Sequence, residues 1–191
     1  MFLELLKKSR THRFFSEKKI TEEEILKIIE TARYIPSSRN SQNIRFAYTV
    51  EEKMCSEIFE NIILGGYLKN RPTKINQPKA YILLCEDKKS KVVEKMTYFN
   101  MGVCAQTINL MANEMGYKTC ILASQNKEKI DEIFNLTEDV DSKILIALGE
   151  GIQNIEIVDA KIGDNLFYYV EENKQYVPKL GLDEMLIKNQ K

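Results

Sequence analysis

NMGVCAQTINLMANEMGYKTCIL, residues 100–122, decides the architecture. A helical pattern begins near Val92 and runs to Met115, with Met101, Cys104, Ala105, Ile108, Ala112 and Met115 on one face and Val103 and Leu110 on another. A helix apolar on more than one side is surrounded by protein rather than lying half in water. Gly116 suits its C-terminal cap, and KTCIL follows as a short strand. Outward from this helix, AYILLCE (80–86) and KILIALGEG (143–151) read as buried strands, and Arg45–Val50 as a looser one. Thr21 opens an earlier helix with a capping box to Glu24, and Ile20 and Ile25 sit where a hydrophobic staple belongs. Pro36 disfavours helical geometry at Ile35 and ends that helix. Shorter helices are expected at 2–8, 52–63 and 127–134, and a strand, a turn, an extended segment and a short helix near the C-terminus. Helices and strands mix without βαβ periodicity, so an α+β layer fold is expected rather than a doubly wound one.

The chain has 191 residues, enough for one domain (1–191) that buries about 70% of its unfolded surface. Lys plus Arg number 28 and Asp plus Glu 28, so no bulk charge draws it to nucleic acid or an anionic membrane. No apolar run approaches the ~20 residues needed to span a bilayer, and the N-terminus lacks a signal-peptide pattern; a cytoplasmic protein is expected. Cys55, Cys85, Cys104 and Cys120 show no metal-ligand spacing and read as reduced core thiols. One histidine, His12, excludes multi-histidine metal sites and most nucleophile–histidine arrangements. There is no P-loop and no GxGxxG; Gly149 and Gly151 read as a plain turn after a strand. With so few catalytic side chains, either a cofactor carries a reaction or there is none.

Two segments stand out. SRTHRFFS places Arg10 and Arg13 three apart with Thr11 between them, a pattern able to clamp a terminal phosphate through charge-assisted bonds. Phe15 would anchor this element, and His12 is expected at the surface, pointing away from Arg10 and Thr11. PSSRNSQ (36–42) crowds short polar groups between a helix and a strand, more than a turn alone requires.

Together, and in this order, RTHRFF, PSSRNSQ, the 100–122 segment, LIALGEG and the ending YYVEENKQYVPKLGLDEML resemble the FMN-dependent nitroreductase family, in its short, compact members. The resemblance implies a mainly antiparallel central sheet flanked by helices in an intertwined homodimer, with two FMN molecules at the subunit interface. The C-terminal segment, about 165–191, is expected to pack on the partner. By the same carry-over, Arg10, Thr11 and Arg13 meet the FMN phosphate and ribityl chain. Pro36, Ser37, Ser38, Asn40 and Gln42 of the other subunit meet the ring. Leu122, Ala123 and Ser124 face its reactive edge, Asn70 contacts the ring, and Lys179 helps hold the phosphate. Two departures are visible: Leu180 stands where a second basic residue is found, and Asn43 and Ile44 where the family often has Pro and an aromatic. The implied activity is a ping-pong transfer of hydride from NADH or NADPH through FMN to a nitroaromatic or quinone, without a protein catalytic residue or metal. The short connection DKKSKVVEK implies an open acceptor pocket. A dehalogenase or dehydrogenase on the same fold, or a non-catalytic FMN-binding dimer, are the alternatives.

Overall fold

The computed structural model describes residues 2–66, 68–123 and 125–187. They form two compact units, one of residues up to Gly66 with Arg71–Ile152, the other of 68–70 and 153–187.

The first unit contains helices α1 (Phe2–Lys8), α2 (Glu22–Glu30), α3 (Glu52–Glu60), α4 (Glu94–Glu114) and α5 (Lys127–Ile133), and strands β1 (Ile44–Thr49), β2 (Ala80–Asp87), β3 (Lys118–Leu122) and β4 (Val140–Gly149). Its sheet has the order β1-β2-β4-β3 and is antiparallel throughout, in agreement with the expected class. Strand side chains alternate between faces, and here both faces are covered. Ala80, Ile82 and Leu84 of β2 join Ile146 and Leu148 of β4 against Ile25 and Ile28 of α2 and Met101, Cys104, Ala105 and Ile108 of α4. Tyr81, Leu83 and Cys85 join Leu145, Ala147, Cys120 and Leu122 against Ile58 of α3 and Ile130 of α5. That double burial is why β2 reads as an unbroken apolar run.

The capping box forms as expected: the Glu24 amide donates to Thr21 Oγ1 (3.2 Å) and the Thr21 amide to the Glu24 carboxylate (2.8 Å). All four cysteines are free and buried, and burial holds the Cys55, Cys85 and Cys104 thiols at about 12, so they stay protonated. The long helix spans Glu94–Glu114, and Gly116 takes φ +86° just beyond it. No helix among the described residues is long and apolar enough to cross a membrane.

The second unit has a sheet of order β5-β7-β6, where β5 (Asn154–Ala160) pairs parallel with β7 (Lys174–Leu180) and β6 (Tyr169–Glu171) pairs antiparallel with it. A short helix, α6 (Leu182–Met185), follows. The sequence reading contains β6, β7 and α6 in outline but not β5.

Candidate functional site

The clamp is built on the edge of the main sheet. After α1 the chain runs extended beside β3: the His12 amide donates to the Thr119 carbonyl (3.0 Å) and Thr11 bridges Thr119. The Phe15 amide then donates to the Asn76 carbonyl (3.0 Å), and the Ile152 amide donates to the Phe14 carbonyl (3.1 Å). Phe15 is fully buried, as the sequence suggests.

His12 departs from expectation. It does point away from exposed Thr11, but that side is the interior, and only 5% of the residue is exposed. Room for it comes from the GxG turn. A Cβ on Gly151 would fall within 2.6 Å of both His12 Cγ and Lys118 Cγ, and one on Gly149 within 2.7 Å of the Phe15 ring. Neither glycine lies in the left-handed region, so both are required for space. The GxG turn is therefore the floor of the clamp.

Among the described residues no carboxylate lies within ion-pair distance of Lys8, Arg10 or Lys118. Arg10 Nη2 donates to the Leu6 carbonyl (2.8 Å), while its Nε is buried without a hydrogen-bond partner. Burial lowers the Arg10 and Lys118 pKa values, Lys118 also feeling Lys8. Burial first, then Lys118 and Arg13, hold His12 at about 4 instead of 6.5. Half-buried positive charge with an unmatched buried donor is the arrangement that charge-assisted bonding to an anion would satisfy.

The depressed His12 also makes a stability prediction. Between pH 6.5 and 4 the unfolded chain takes up a proton that folded His12 refuses, so stability is lost as pH falls, by about 3 kcal/mol in all. Urea unfolding at pH 7 and pH 4 should show the parent losing about that much more than His12→Gln, and equal losses would contradict the buried neutral imidazole.

The Pro36–Gln42 loop is anchored elsewhere on α4. The Ser38 amide donates to Asn100 Oδ1 (2.9 Å), whereas the clamp reaches α4 through Thr119, whose hydroxyl donates to Asn109 Oδ1 (2.6 Å). At 1.5 Å per residue, those anchors lie about 14 Å apart along the helix. Arg39, Asn40 and Gln42 all have left-handed backbones, at φ 53°, 53° and 45°, yet their side chains are exposed. Each such residue costs roughly 1–2 kcal/mol, less for Asn. Pro36 is exposed, Ser37 and Ser38 are half-buried, and Ser37 Oγ accepts from the Gln42 amide (3.2 Å). Asn43, the departure after Gln42, is 1% exposed and packed among polar partners rather than in an apolar wall.

At the far end of β3, Leu122 is buried and Ala123 exposed, three to four residues from the Thr119 contact with the clamp, or about 10–14 Å. Ser124 lies outside the described residues. Asn70 and Lys179 are exposed and belong to the second unit, Lys179 in register with Asp159. The structure thus joins Arg10, Thr11 and Arg13 to β3 and so to Leu122 and Ala123, and sets the Pro36–Gln42 loop on a different stretch of α4. Sequence reasoning missed His12, Lys118, Gly149 and Gly151 beneath the clamp, and Asn43, Thr97 and Asn100 beneath the loop. The glycine spacing was the one available signal.

An antiparallel sheet packed between helices, with an arginine-bearing segment bridged to its edge strand, is an α+β layer arrangement. The nitroreductase family model matches residues 6–150, and the chain belongs to that family. A protein of Archaeoglobus fulgidus, named as a candidate NADH dehydrogenase/NAD(P)H nitroreductase, is 25% identical over 152 residues, covering 77% of this chain and 83% of that one. The crystal structure of a nitroreductase family protein from Clostridium novyi NT superposes with a TM-score of 0.66 at 24% identity, covering 80% of this chain and 86% of that chain. An FMN-dependent nitroreductase from Clostridium difficile R20291 gives 0.61 at 19% identity, covering 80% and 88%.

Proposed function

We propose that this protein is an FMN-binding oxidoreductase that passes reducing equivalents from NADH or NADPH to an electron-poor acceptor such as a nitroaromatic or quinone, by alternating use of one open site. The observation that carries the reading is the half-buried Arg10, with no carboxylate in ion-pair distance among the described residues and an unmatched buried Nε, in a chain of this family. It suits the dianionic phosphate of FMN, which the FMN-dependent relative from Clostridium difficile makes the natural occupant.

When bound, FMN supplies the hydride-accepting and hydride-donating chemistry. The chain's own part is binding and electrostatics. Arg10 and Arg13 neutralise the phosphate, with Thr11 beside them. Leu122 and Ala123 lie further along the edge strand and its loop, where backbone amides offer hydrogen bonds without needing particular side chains, and the family resemblance adds Ser124. Ser37, Ser38, Asn40 and Gln42 supply donors and acceptors for the ring, and Pro36 stiffens the entry; Asn70 and Lys179 are assigned to FMN by the family resemblance alone.

The site is shared in a homodimer. The clamp and the loop are anchored about 14 Å apart along α4, and the family resemblance assigns them to different subunits. Exposed apolar side chains agree: Val93, Tyr98 and Phe99 around the start of α4, and separately Phe167, Leu182, Met185 and Ile187 in the C-terminal segment.

Purified protein should take up one FMN per chain, elute as a dimer, and lose its yellow colour when NADH or NADPH is added anaerobically. Menadione or nitrofurazone should restore it. A monomer that remains colourless with excess FMN would refute the reading, and flavin that is bound but reduced by neither nicotinamide would mark a binding protein instead of an enzyme.

A further inference from the structure

We propose that a buried chain of hydrogen bonds from the Ser38 amide to the carboxylate of Glu86 is the positioning device that holds the Pro36–Gln42 loop in its ligand-binding shape. The effect on flavin rests on the FMN reading above; the effect on the loop does not.

The links run through four side chains. The Ser38 amide donates to Asn100 Oδ1 (2.9 Å), Asn100 Nδ2 to Asn43 Oδ1 (2.9 Å), Asn43 Nδ2 to Thr97 Oγ1 (3.0 Å), and the Thr97 hydroxyl to Glu86 Oε1 (2.8 Å). Asn43, Thr97 and Asn100 are at most 1% exposed. Every direction is forced. A backbone amide can only donate, so Asn100 must present its oxygen to Ser38. At the other end the Glu86 carboxylate oxygen accepts, so the Thr97 hydroxyl spends its single proton on Glu86 and receives from Asn43. The two asparagine amides between these ends then have one orientation that satisfies all partners.

A second grip closes on the loop from the same groups. The other Asn100 Nδ2 proton goes to Ser41 Oγ (3.1 Å), and the Ser41 hydroxyl goes to Asn43 Oδ1 (3.2 Å). Ser38 and Ser41 therefore flank the left-handed pair Arg39–Asn40 and are both tied to α4. The strain of those residues persists because the surroundings over-determine them. Bonds aligned in one sense in a dry interior also reinforce one another. The Thr97 hydroxyl bonds to Asn43 and Glu86, not to the Pro36–Gln42 loop, yet it fixes the orientation of Asn43 and so, through Asn100, the loop itself. It is a positioning residue.

The test uses full-length Thr97→Val, which keeps the shape and removes both hydroxyl bonds, with Thr97→Ser as the variant that restores them. In the flavin-free protein, hydrogen–deuterium exchange by mass spectrometry should show peptides covering 37–43 exchanging faster in T97V, with T97S close to the parent. FMN titration should show affinity about tenfold weaker in T97V, the worth of one buried hydrogen bond, and within about twofold of the parent in T97S. Unchanged exchange in a folded T97V overturns the positioning role. If T97V does not fold, Glu86→Ala breaks the same chain from its carboxylate end and is read identically. A parent protein that takes up no FMN would defeat the cofactor reading, and the exchange result would still decide the chain.

Discussion

Arg10→Gln/Arg13→Gln protein is expected to purify colourless, with FMN affinity lower by about 10²–10⁴-fold. Each guanidinium contributes a charge-assisted hydrogen bond of roughly 1.5–3 kcal/mol to the phosphate, and the two act on the same group. Glutamine retains much of the length and the ability to donate while removing the charge. Arg10 also donates to the Leu6 carbonyl at the end of α1, so part of any fall in melting temperature belongs to that helix and not to the ligand. Riboflavin separates the two contributions. The parent should prefer FMN over riboflavin by nearly the factor that the double variant loses, and the variant should bind both alike. A double variant that still prefers FMN strongly would show that the phosphate is held elsewhere and would remove the clamp from the site. Lysine at both positions should recover only part of the affinity, since an ammonium keeps the charge without the planar fork.

The sequence announces what local rules determine. The capping box at Thr21 and Glu24 forms because both partners sit within four residues, and the β2 run is apolar throughout because both faces of the sheet are covered. What stays hidden is set by partners distant in the chain. Thr97 and Asn100 fall on the same helical stripe as Cys104 and Ile108, where they read as interruptions of an apolar face; only the approach of Asn43 and Glu86 gives them a purpose. The alternation in RTHRFF places His12 opposite Thr11, but cannot tell which side is solvent. That depends on β3 and the turn after β4 arriving beneath it. The candidate residues Asn70 and Lys179 come from the family resemblance alone, and nothing local in the sequence links them to the clamp.

Gly151→Ala should damage the clamp without touching any residue that faces the ligand. The added methyl would overlap the His12 ring and the Lys118 stem, with 2.6 Å to a carbon of each. Lys118 is half-buried and meets the methyl at Cγ, whereas His12 is nearly enclosed, comes nearest to it through Nδ1, and has its backbone tied to Thr119. The strain is therefore relieved by moving His12, and Arg10, Thr11 and Arg13 move with it. Overpacking of this kind costs about 1–3 kcal/mol, a melting temperature lower by about 3–10 °C in a chain of this size. FMN affinity should fall by at least about tenfold through misplacement of the arginines. The mechanism is specific enough to be reversed: His12→Ala empties the space that the new methyl needs. In a double-mutant cycle, His12→Ala/Gly151→Ala should be more stable than the sum of the single effects predicts, by about 1–2 kcal/mol, and should regain most of the lost flavin affinity. Strictly additive losses would mean that the glycine and the histidine do not share the space between the clamp and its floor.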